Sequence, residues 1–288
     1  MLTPEVLVDG FGFLEGPRWF DGSLWVSDFA TRRVHRVSTA GEATTVASVP
    51  GRPSGLGFAD GQLLVSVMED QAVVAVAADG TLRPHADLTG VAVGLSNDML
   101  VDDQGRAYVG SMGFDLFRGD RPAPGNLVLV DRQGSVRVAA SDMLVPNGTV
   151  LDSHGRLIVA ETNGKRLTRF TVGDNGELSD RQIHAQFDDY GPDGLCIDAA
   201  DGIWMGACFE NAFVYVLPDG RVAQRIDVPG RWAVACALGG DDMRTLFLLT
   251  ADTTMRRFRH DESTARIEVV RVDTPGIPTP GRWEPSGG

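Results

Sequence analysis

The sequence is poor in cysteine and lacks the paired motifs that cysteine and histidine chemistry uses. Only Cys196, Cys208 and Cys236 occur in 288 residues, and no two of them are spaced as CxxC. Three cysteines cannot all form disulfide bonds with one another, and the sequence predicts free, mostly buried thiols in a reducing cytoplasm. The five histidines are scattered and form no HExxH motif, which argues against a zinc site with nitrogen ligands.

Positive charge and long apolar runs are also scarce. The 26 Lys and Arg against 39 Asp and Glu leave a net charge of −13, which argues against a nucleic-acid-binding protein, since such a protein would show a basic face. No apolar run approaches the roughly 18 residues of a membrane helix. The start MLTPEVLVDG has neither the basic nor the apolar region of a signal peptide. We therefore expect a cytoplasmic protein without nucleic-acid or membrane partners, and the sequence leaves its oligomeric state open.

The sequence instead contains many turn residues and an internal repeat. Glycine occurs 35 times and proline 15 times. In FLEGPRWFDGSLWVSD, residues 13–28, Glu15 stands ten residues before Trp25, which lies in a predicted strand. The same arrangement recurs at intervals of 39 to 50 residues. The six repeated positions are Glu15, Ser54, Asn97, Asn147, Asp193 and Cys236.

Each repeat predicts four short strands. A turn precedes an apolar strand such as LWVSD or LIVAE, a third apolar run follows, and most repeats end with a more polar strand. Helical spacing is not sustained anywhere for three turns. Six such units predict an all-β fold, a six-bladed β-propeller of four-stranded antiparallel blades in a single domain over residues 1–288.

The ends of the chain predict how the array closes. A linear array would leave two exposed strand edges. Residues 4–10, PEVLVDG, precede the first repeat and are predicted to form a lone strand. We expect this strand to complete the last blade as its outer strand, beside residues 265–272. The Pro- and Gly-rich segment 273–288 is predicted to be irregular.

The repeated position predicts a ring of side chains around the central channel, where the innermost strand of each blade lies. Four of the six carry side-chain oxygens: Glu15, Asn97, Asn147 and Asp193. Two carboxylates and two amides suit one hard cation, Ca²⁺ first, with Mg²⁺ or Mn²⁺ as alternatives. Converging buried carboxylates also need compensation by a cation.

A structural role for the same residues is the competing interpretation. Asn-Gly and Asp-Gly are common turn formers, and Glu15 alone could cap a neighbouring blade. The shared register in four repeats is what favours metal binding. Ser54 and Cys236 occupy the two remaining positions and are predicted to face the same channel, where they could contact a substrate.

Several stretches resemble the SMP-30/gluconolactonase/luciferin-regenerating-enzyme family. They include SNDMLVDDQGRAYVGSMGF, VPNGTVLDSHGRLIVAET and GPDGLCIDAADGIWMGA, and the resemblance runs from about residue 5 to residue 272. It implies a six-bladed propeller with one divalent metal ion in the channel, and hydrolysis of sugar lactones or related esters. The implied ligands are Glu15 of E-G-P, Asn97 of N-D, Asn147 of P-N-G and Asp193 of P-D-G. Asp193 also inherits the role of general base.

The sequence departs from the family pattern at the predicted channel mouth. Leu95 stands where sugar-lactone hydrolases of the family often carry an arginine, and Ala235 stands where an asparagine is common. Apolar side chains are therefore candidates to line the mouth and bind substrate, although each also suits blade packing. They are Leu95, Met112, Phe114, Phe209 and Trp232. This composition predicts a substrate less hydroxylated than an aldonolactone.

The leading expectation is a metal-dependent hydrolase that opens a small-molecule lactone or ester, with the cation as Lewis acid and Asp193 as base. The oxygen ligands leave the ion open among Ca²⁺, Mg²⁺, Mn²⁺ and Zn²⁺. Asp98 is suited equally to orienting the neighbouring ligand and to a turn. Two alternatives remain: another metal-assisted reaction, such as phosphotriester hydrolysis, isomerisation or a biosynthetic pathway step, or a non-catalytic scaffold tied by its ion. A metal-free strictosidine-synthase-like enzyme would not need the oxygen ring.

Overall fold

Four-stranded antiparallel sheets make up nearly all regular structure in the computed structural model, which describes residues 2–279. Strands that follow one another in sequence are neighbours in each sheet, because short turns connect them. At Asp21-Gly22 both φ angles are positive, as a tight two-residue hairpin requires. The sheets are arranged radially, and the predicted six-bladed propeller is confirmed.

The first strand and three complete blades occupy the N-terminal half of the chain. They are β1 (Glu5–Phe11); blade 1 with β2 (Leu14–Phe20), β3 (Ser23–Asp28), β4 (Arg33–Val37) and β5 (Ala43–Ser48); blade 2 with β6 (Pro53–Ala59), β7 (Gln62–Val67), β8 (Ala72–Val76) and β9 (Leu82–Asp87); and blade 3 with β10 (Ser96–Val101), β11 (Ala107–Ser111), β12 (Gly125–Val130) and β13 (Val136–Met143).

The remaining strands form blades 4 to 6. They are blade 4 with β14 (Pro146–Leu151), β15 (Arg156–Glu161), β16 (Arg166–Val172) and β17 (Leu178–Gln186); blade 5 with β18 (Pro192–Ile197), β19 (Ile203–Ala207), β20 (Ala212–Val216) and β21 (Val222–Asp227); and blade 6 with β22 (Trp232–Gly239), β23 (Thr245–Asp252), β24 (Thr264–Arg271) and β1.

Blade 6 is closed by the N-terminal strand, as the sequence predicts. Strand β1 pairs antiparallel with β24, from Glu5 opposite Val269 to Phe11 opposite Ala265. Leu7 and Val8 pack against the apolar cluster shared by blades 6 and 1, where Phe11 is buried. The pairing satisfies the outer edge of β24 and joins the two ends of the ring.

The innermost strands approach one another closely around the axis. A Cβ added to Gly148 in β14 would lie only 2.4 Å from the backbone nitrogen of Leu195 in β18, so a larger residue does not fit there. Between the blades, apolar side chains interdigitate, and the rings of Phe20 and Phe58 stack at 3.8 Å between blades 1 and 2. These contacts fix the positions of the innermost strands, and with them the side chains that face the channel.

Two of the connections between strands contain a short helix. A 3-10 helix, Cys208–Glu210, joins β19 to β20, and α1 (Met255–Arg259) lies between β23 and β24. Within residues 2–279, none of the helices has the length and apolarity needed to cross a bilayer. Residues 273–279 form no helix or strand, and their only regular pairing is an isolated β-bridge between Gly276 and Asp198. The rest of the segment predicted to be irregular, residues 280–288, lies outside the described residues.

Removing residues 2–9 should destabilise the protein, because it exposes the edge of β24 and removes the packing of Leu7 and Val8. Burial of one such side chain contributes about 1.5–3 kcal/mol. We expect the melting temperature to fall by more than about 5 °C, with increased aggregation, in thermal unfolding and light-scattering measurements. Val6→Ala is the control, since Val6 on the same strand is 51 % exposed. An unchanged melting temperature would show that β1 does not close the ring.

Candidate functional site

The four predicted oxygen ligands line one cavity. Glu15, Asn97, Asn147 and Asp193 are all buried and, together with Ser54, form the base of a cavity of about 250 Å³. In each of these five blades the side chain belongs to the second residue of the innermost strand. Five of the six positions identified from the sequence repeat therefore occupy the same place in their blades.

A repeated irregularity of the backbone accompanies these positions. The pairing of the innermost strand with its neighbour shifts register directly after Glu15, between Ser96 and Met99, between Pro146 and Thr149, and between Pro192 and Leu195. Such bulges bend a strand and change the direction of its side chains. The same irregularity in successive blades explains how residues at the ends of separate strands reach one cavity.

The segments that lead into these strands are held by carboxylates of the same blade. In each case a side chain just after or at the end of the second strand accepts hydrogen bonds from backbone amides two or three residues before the cavity residue. The pairs are Asp28 with Gly12 and Phe13, Glu69 with Arg52, Glu161 with Leu144, and Glu210 with Gly191. These bonds restrict the backbone next to the cavity before any ligand binds.

Hydrogen bonds orient the two amides. The Asn97 side chain donates to the carbonyl oxygen of Pro146 at 3.0 Å, and its Oδ1 accepts from Ser54 at 3.4 Å. The Asn147 side chain donates to Asp193 and, at 3.3 Å, to the hydroxyl of Thr162. Oδ1 of Asn147 is buried and has no hydrogen-bond partner among residues 2–279. A buried acceptor without a partner is costly and is suited to a bound ligand.

Within residues 2–279 the carboxylates of Glu15 and Asp193 have no cationic partner. Burial raises the pKa of Glu15 well above its usual range, and repulsion from Asp193 and Asp98 raises it further. Burial also raises the pKa of Asp193, to about 7, against the opposing effects of Cys208 and Asn147. Neither Glu15 nor Asp193 forms an ion pair within the described part of the chain. The site is thus a concentration of negative charge that a cation would stabilise.

The negative charge of Asp98, unlike the charges of Glu15 and Asp193, is compensated by an ion pair with Arg18. Asp98 is buried beside Asn97 and accepts hydrogen bonds from Arg18, at 3.1 Å, and from the backbone amide of Met99. Arg18 also donates to the carbonyl oxygens of Pro17 and Met99. Asp98 therefore links blade 3 to blade 1 next to a cavity residue, and its charge is already paired.

The donor set fits a hard divalent cation. Two carboxylates and two amide oxygens are typical ligands of Ca²⁺, and the unpaired Oδ1 of Asn147 and the uncompensated charges of Glu15 and Asp193 are features that such an ion would satisfy. Over residues 2–279 no three Asp, Glu, His or Cys side chains gather as a metal cluster. A cation here would therefore depend on the amides of Asn97 and Asn147 as well.

The structure corrects one position of the predicted ring and adds another cysteine. The register shift in β22 falls between Ala233 and Ala235, before Cys236, and the strand pairs regularly beyond it. Cys236 is consequently turned into the packing between blades 5 and 6, where its thiol donates to the carbonyl oxygen of Trp204 at 3.3 Å. Cys208 lines the cavity instead and interacts with Asp193. Burial and Asp193 raise the pKa of the Cys208 thiol well above its usual value, so it is neutral.

Four of the five predicted apolar residues line the cavity: Met112, Phe114, Phe209 and Trp232. Leu95 does not line the cavity; it packs against the lining residues Met112 and Val145. The sequence analysis did not identify eight other apolar residues of the cavity lining, which are Phe13, Phe29, Met68, Leu116, Pro122, Val145, Met255 and Phe258. Two of them do repeat, since Phe29 and Met68 directly follow the second strand of their blades, as Met112 does.

The chain belongs to the SMP-30/Gluconolactonase/LRE-like family, whose model matches residues 13–252. This finding confirms the resemblance seen in the sequence. The chain is similar to 6-deoxy-6-sulfogluconolactonase from Pseudomonas putida, with 26% identity over 270 residues and 89% of each chain covered. It is also similar to pentonolactonase XacC from Haloferax volcanii, with 27% identity over 244 residues, covering 82% of this chain and 81% of the relative.

Solved structures share the fold. The calcium-binding protein regucalcin from Agrobacterium tumefaciens superposes with a TM-score of 0.79 at 22% identity, covering 94% of this chain and 93% of that chain. At this level of identity the likeness establishes the common propeller architecture.

Glu161→Gln should destabilise the protein by about 3 kcal/mol, because Glu161 is completely buried and accepts from Arg166, Thr168 and the Leu144 amide. Burial alone would raise the pKa of Glu161, but these hydrogen bonds lower it below its usual value. Its stabilisation is therefore complete above about pH 4.5 and is lost as the pH falls through the lowered folded-state pKa. Urea unfolding at pH 7 and at lower pH measures both effects.

The matched control is Asp60→Asn, which removes a surface ion pair with Arg132 and should change the unfolding free energy by less than about 1 kcal/mol. Equal stabilities of Glu161→Gln and Asp60→Asn would contradict the role given to Glu161.

Proposed function

We propose that this protein is a hydrolase that opens the ring of a small-molecule lactone. The observation that carries the proposal is the cavity itself, in which two unpaired buried carboxylates and two oriented amides meet beneath a space of about 250 Å³. Two relatives over most of the chain are named as sugar-type lactonases, which supports this reaction class.

Glu15, Asn97, Asn147 and Asp193 would hold one divalent cation, Ca²⁺ first, with Mg²⁺, Mn²⁺ or Zn²⁺ as alternatives. Support comes from the oxygen-only donor set, the unpaired Oδ1 of Asn147 and the description of a relative with the same fold as a calcium-binding protein. When bound, such a cation supplies Lewis-acid polarisation of a substrate carbonyl.

Asp193 is the proposed general base. Its position in the cavity base lets it accept a proton from an attacking water. Without the cation, burial raises the pKa of Asp193 to about 7, and a bound cation would lower it and favour the carboxylate form that a base needs. Asn147 donates to Oδ1 of Asp193 and so orients the carboxylate. The water oxygen bonds to the acyl carbon, the ring C–O bond breaks, and the proton held by Asp193 passes to the departing alkoxide, which gives a hydroxy acid.

Removal of divalent cations should abolish lactone hydrolysis and lower the melting temperature, because the two carboxylates would repel each other without compensation. An ion at 100 times its dissociation constant stabilises the folded state by about 2.7 kcal/mol. Activity and thermal unfolding are measured after chelation and after adding back Ca²⁺, Mg²⁺, Mn²⁺ or Zn²⁺ separately.

Glu15→Gln should lose the ion-dependent stabilisation, whereas Asp60→Asn should keep it. Stabilisation by an ion without turnover of any lactone would support the scaffold alternative, and activity unaffected by chelation would contradict a metal-dependent reaction.

Asp193→Asn should lower kcat by roughly 10²–10⁴-fold, because the amide keeps an oxygen donor but cannot take a proton. Cation binding by the variant is measured by calorimetry, so that loss of the base is separated from loss of the ion. Asp21→Asn, in an exposed positive-φ turn, is the matched control and should retain full activity. Full hydrolysis by Asp193→Asn with the ion bound would refute the assigned base.

A further inference from the structure

We infer that the substrate is a lactone bearing an apolar alkyl or aryl group, which the upper part of the cavity binds, rather than a free polyhydroxylated sugar lactone. This inference rests on the proposed function and concerns the same cavity. It follows from the walls above the oxygen ring, from the few polar groups available there and from the apolar rim.

The walls above the ring form a continuous aromatic surface. Phe258 of α1 lies with its ring centroid 4.8 Å from that of Phe13, 5.3 Å from Phe29 and 5.5 Å from Trp232. Phe209 completes the surface by an edge-to-face contact with Trp232 at 5.1 Å. Aromatic surfaces of this kind stabilise an apolar ligand group by excluding water and by dispersion.

Among the described residues, few polar groups above the ring of oxygen ligands could form hydrogen bonds with a substrate. The hydroxyl of Thr162 already donates to the carbonyl oxygen of Pro192, at 2.8 Å, and accepts from Asn147. Asn163 and Arg259 are exposed residues of the lining. Each sugar hydroxyl that is buried without a hydrogen bond costs free energy, so a polyhydroxylated substrate would lose water without adequate replacement.

The rim itself exposes large apolar side chains. Phe209 is 50 % exposed and Met255 is 42 % exposed, and both line the cavity. Neighbouring apolar residues that remain exposed at a concave site favour binding of an apolar group, which would cover them.

The apolar wall is held in place by charged contacts on its outer side. Arg52 forms an ion pair with Asp261, just after α1, at 2.9 Å, and its guanidinium lies 3.9 Å from the ring centroid of Phe117. Phe117 in turn stacks on Phe258 at 5.8 Å. The aromatic wall is therefore anchored from blade 2, which keeps the space above the ring open for a substrate group.

The experiment compares three δ-lactones with the metal-loaded protein: δ-valerolactone, δ-nonalactone, which adds a butyl chain to the same ring, and glucono-δ-lactone. A fully buried methylene corresponds to about a fourfold gain in binding, and partial burial of the butyl chain reduces the total. We expect kcat/KM for δ-nonalactone to exceed that of each other lactone by about tenfold or more. A preference for glucono-δ-lactone, or equal values for the two unhydroxylated lactones, would overturn the inference.

Variants test whether the aromatic wall produces the preference. Phe209→Ala and Trp232→Leu should reduce the ratio of kcat/KM between δ-nonalactone and δ-valerolactone to about threefold or less, mainly through KM. The matched control Trp25→Leu changes another half-buried tryptophan, which packs between blades 1 and 2, and should keep the ratio. An unchanged ratio in both cavity variants would overturn the assignment of the wall.

Binding of lactams separates this inference from the proposed reaction. Calorimetry compares 2-piperidone with 6-butyl-2-piperidone, which have the same carbonyl ring but are not hydrolysed readily. We expect about tenfold tighter binding of the butyl compound, with the difference reduced in Trp232→Leu. That result without turnover of any lactone would refute the hydrolase while supporting the apolar preference; equal binding of both lactams would overturn the preference itself.

Discussion

The close approach of the innermost strands around one axis is the constraint on which the site depends. It brings Glu15 of blade 1 and Asp193 of blade 5 into one buried cavity, where neither carboxylate has an ion-pair partner among residues 2–279. Burial raises the pKa of both groups, and repulsion from Asp193 adds to the effect at Glu15, as repulsion from Asp98 does at Asp193, so the raised pKa values result from the architecture. A divalent cation is the ligand that would reverse this unfavourable arrangement.

The same architecture divides the cavity into two chemically different parts. Its base is built from strand residues that occupy equivalent places in successive blades and are oriented by hydrogen bonds such as that from Asn147 to Asp193. Its upper walls come from connections between strands, including α1 and the 3-10 helix at Cys208–Glu210. The residues at the base are thus positioned by rigid sheets, which is suited to holding reacting groups in a fixed geometry. Substitutions in the connections can change substrate preference without disturbing the blades.

Much of the base could be predicted because it repeats. The ten-residue spacing located Glu15, Asn97, Asn147 and Asp193, and the structure brings these four together. The same count failed at Cys236, because the register shift of β22 lies earlier in that strand than the spacing implies. Cys208 could have been found in the same way, because it directly follows the second strand of blade 5, the place that Met68 and Met112 occupy in blades 2 and 3.

The sequence by itself determined the six repeats, the closing strand at residues 5–11 and the oxygen side chains at shared positions, because turn residues and alternating apolar residues act locally. Only the tertiary structure decided which apolar residues form the mouth. The ring centroids of Phe13 and Phe258 lie 4.8 Å apart, although the two residues are far apart in sequence. Leu95 is buried in a cluster with Met112 and does not line the cavity. Contacts such as that between Phe13 and Phe258 depend on ring closure and on α1, a segment that occurs in only one of the six blades over residues 2–279.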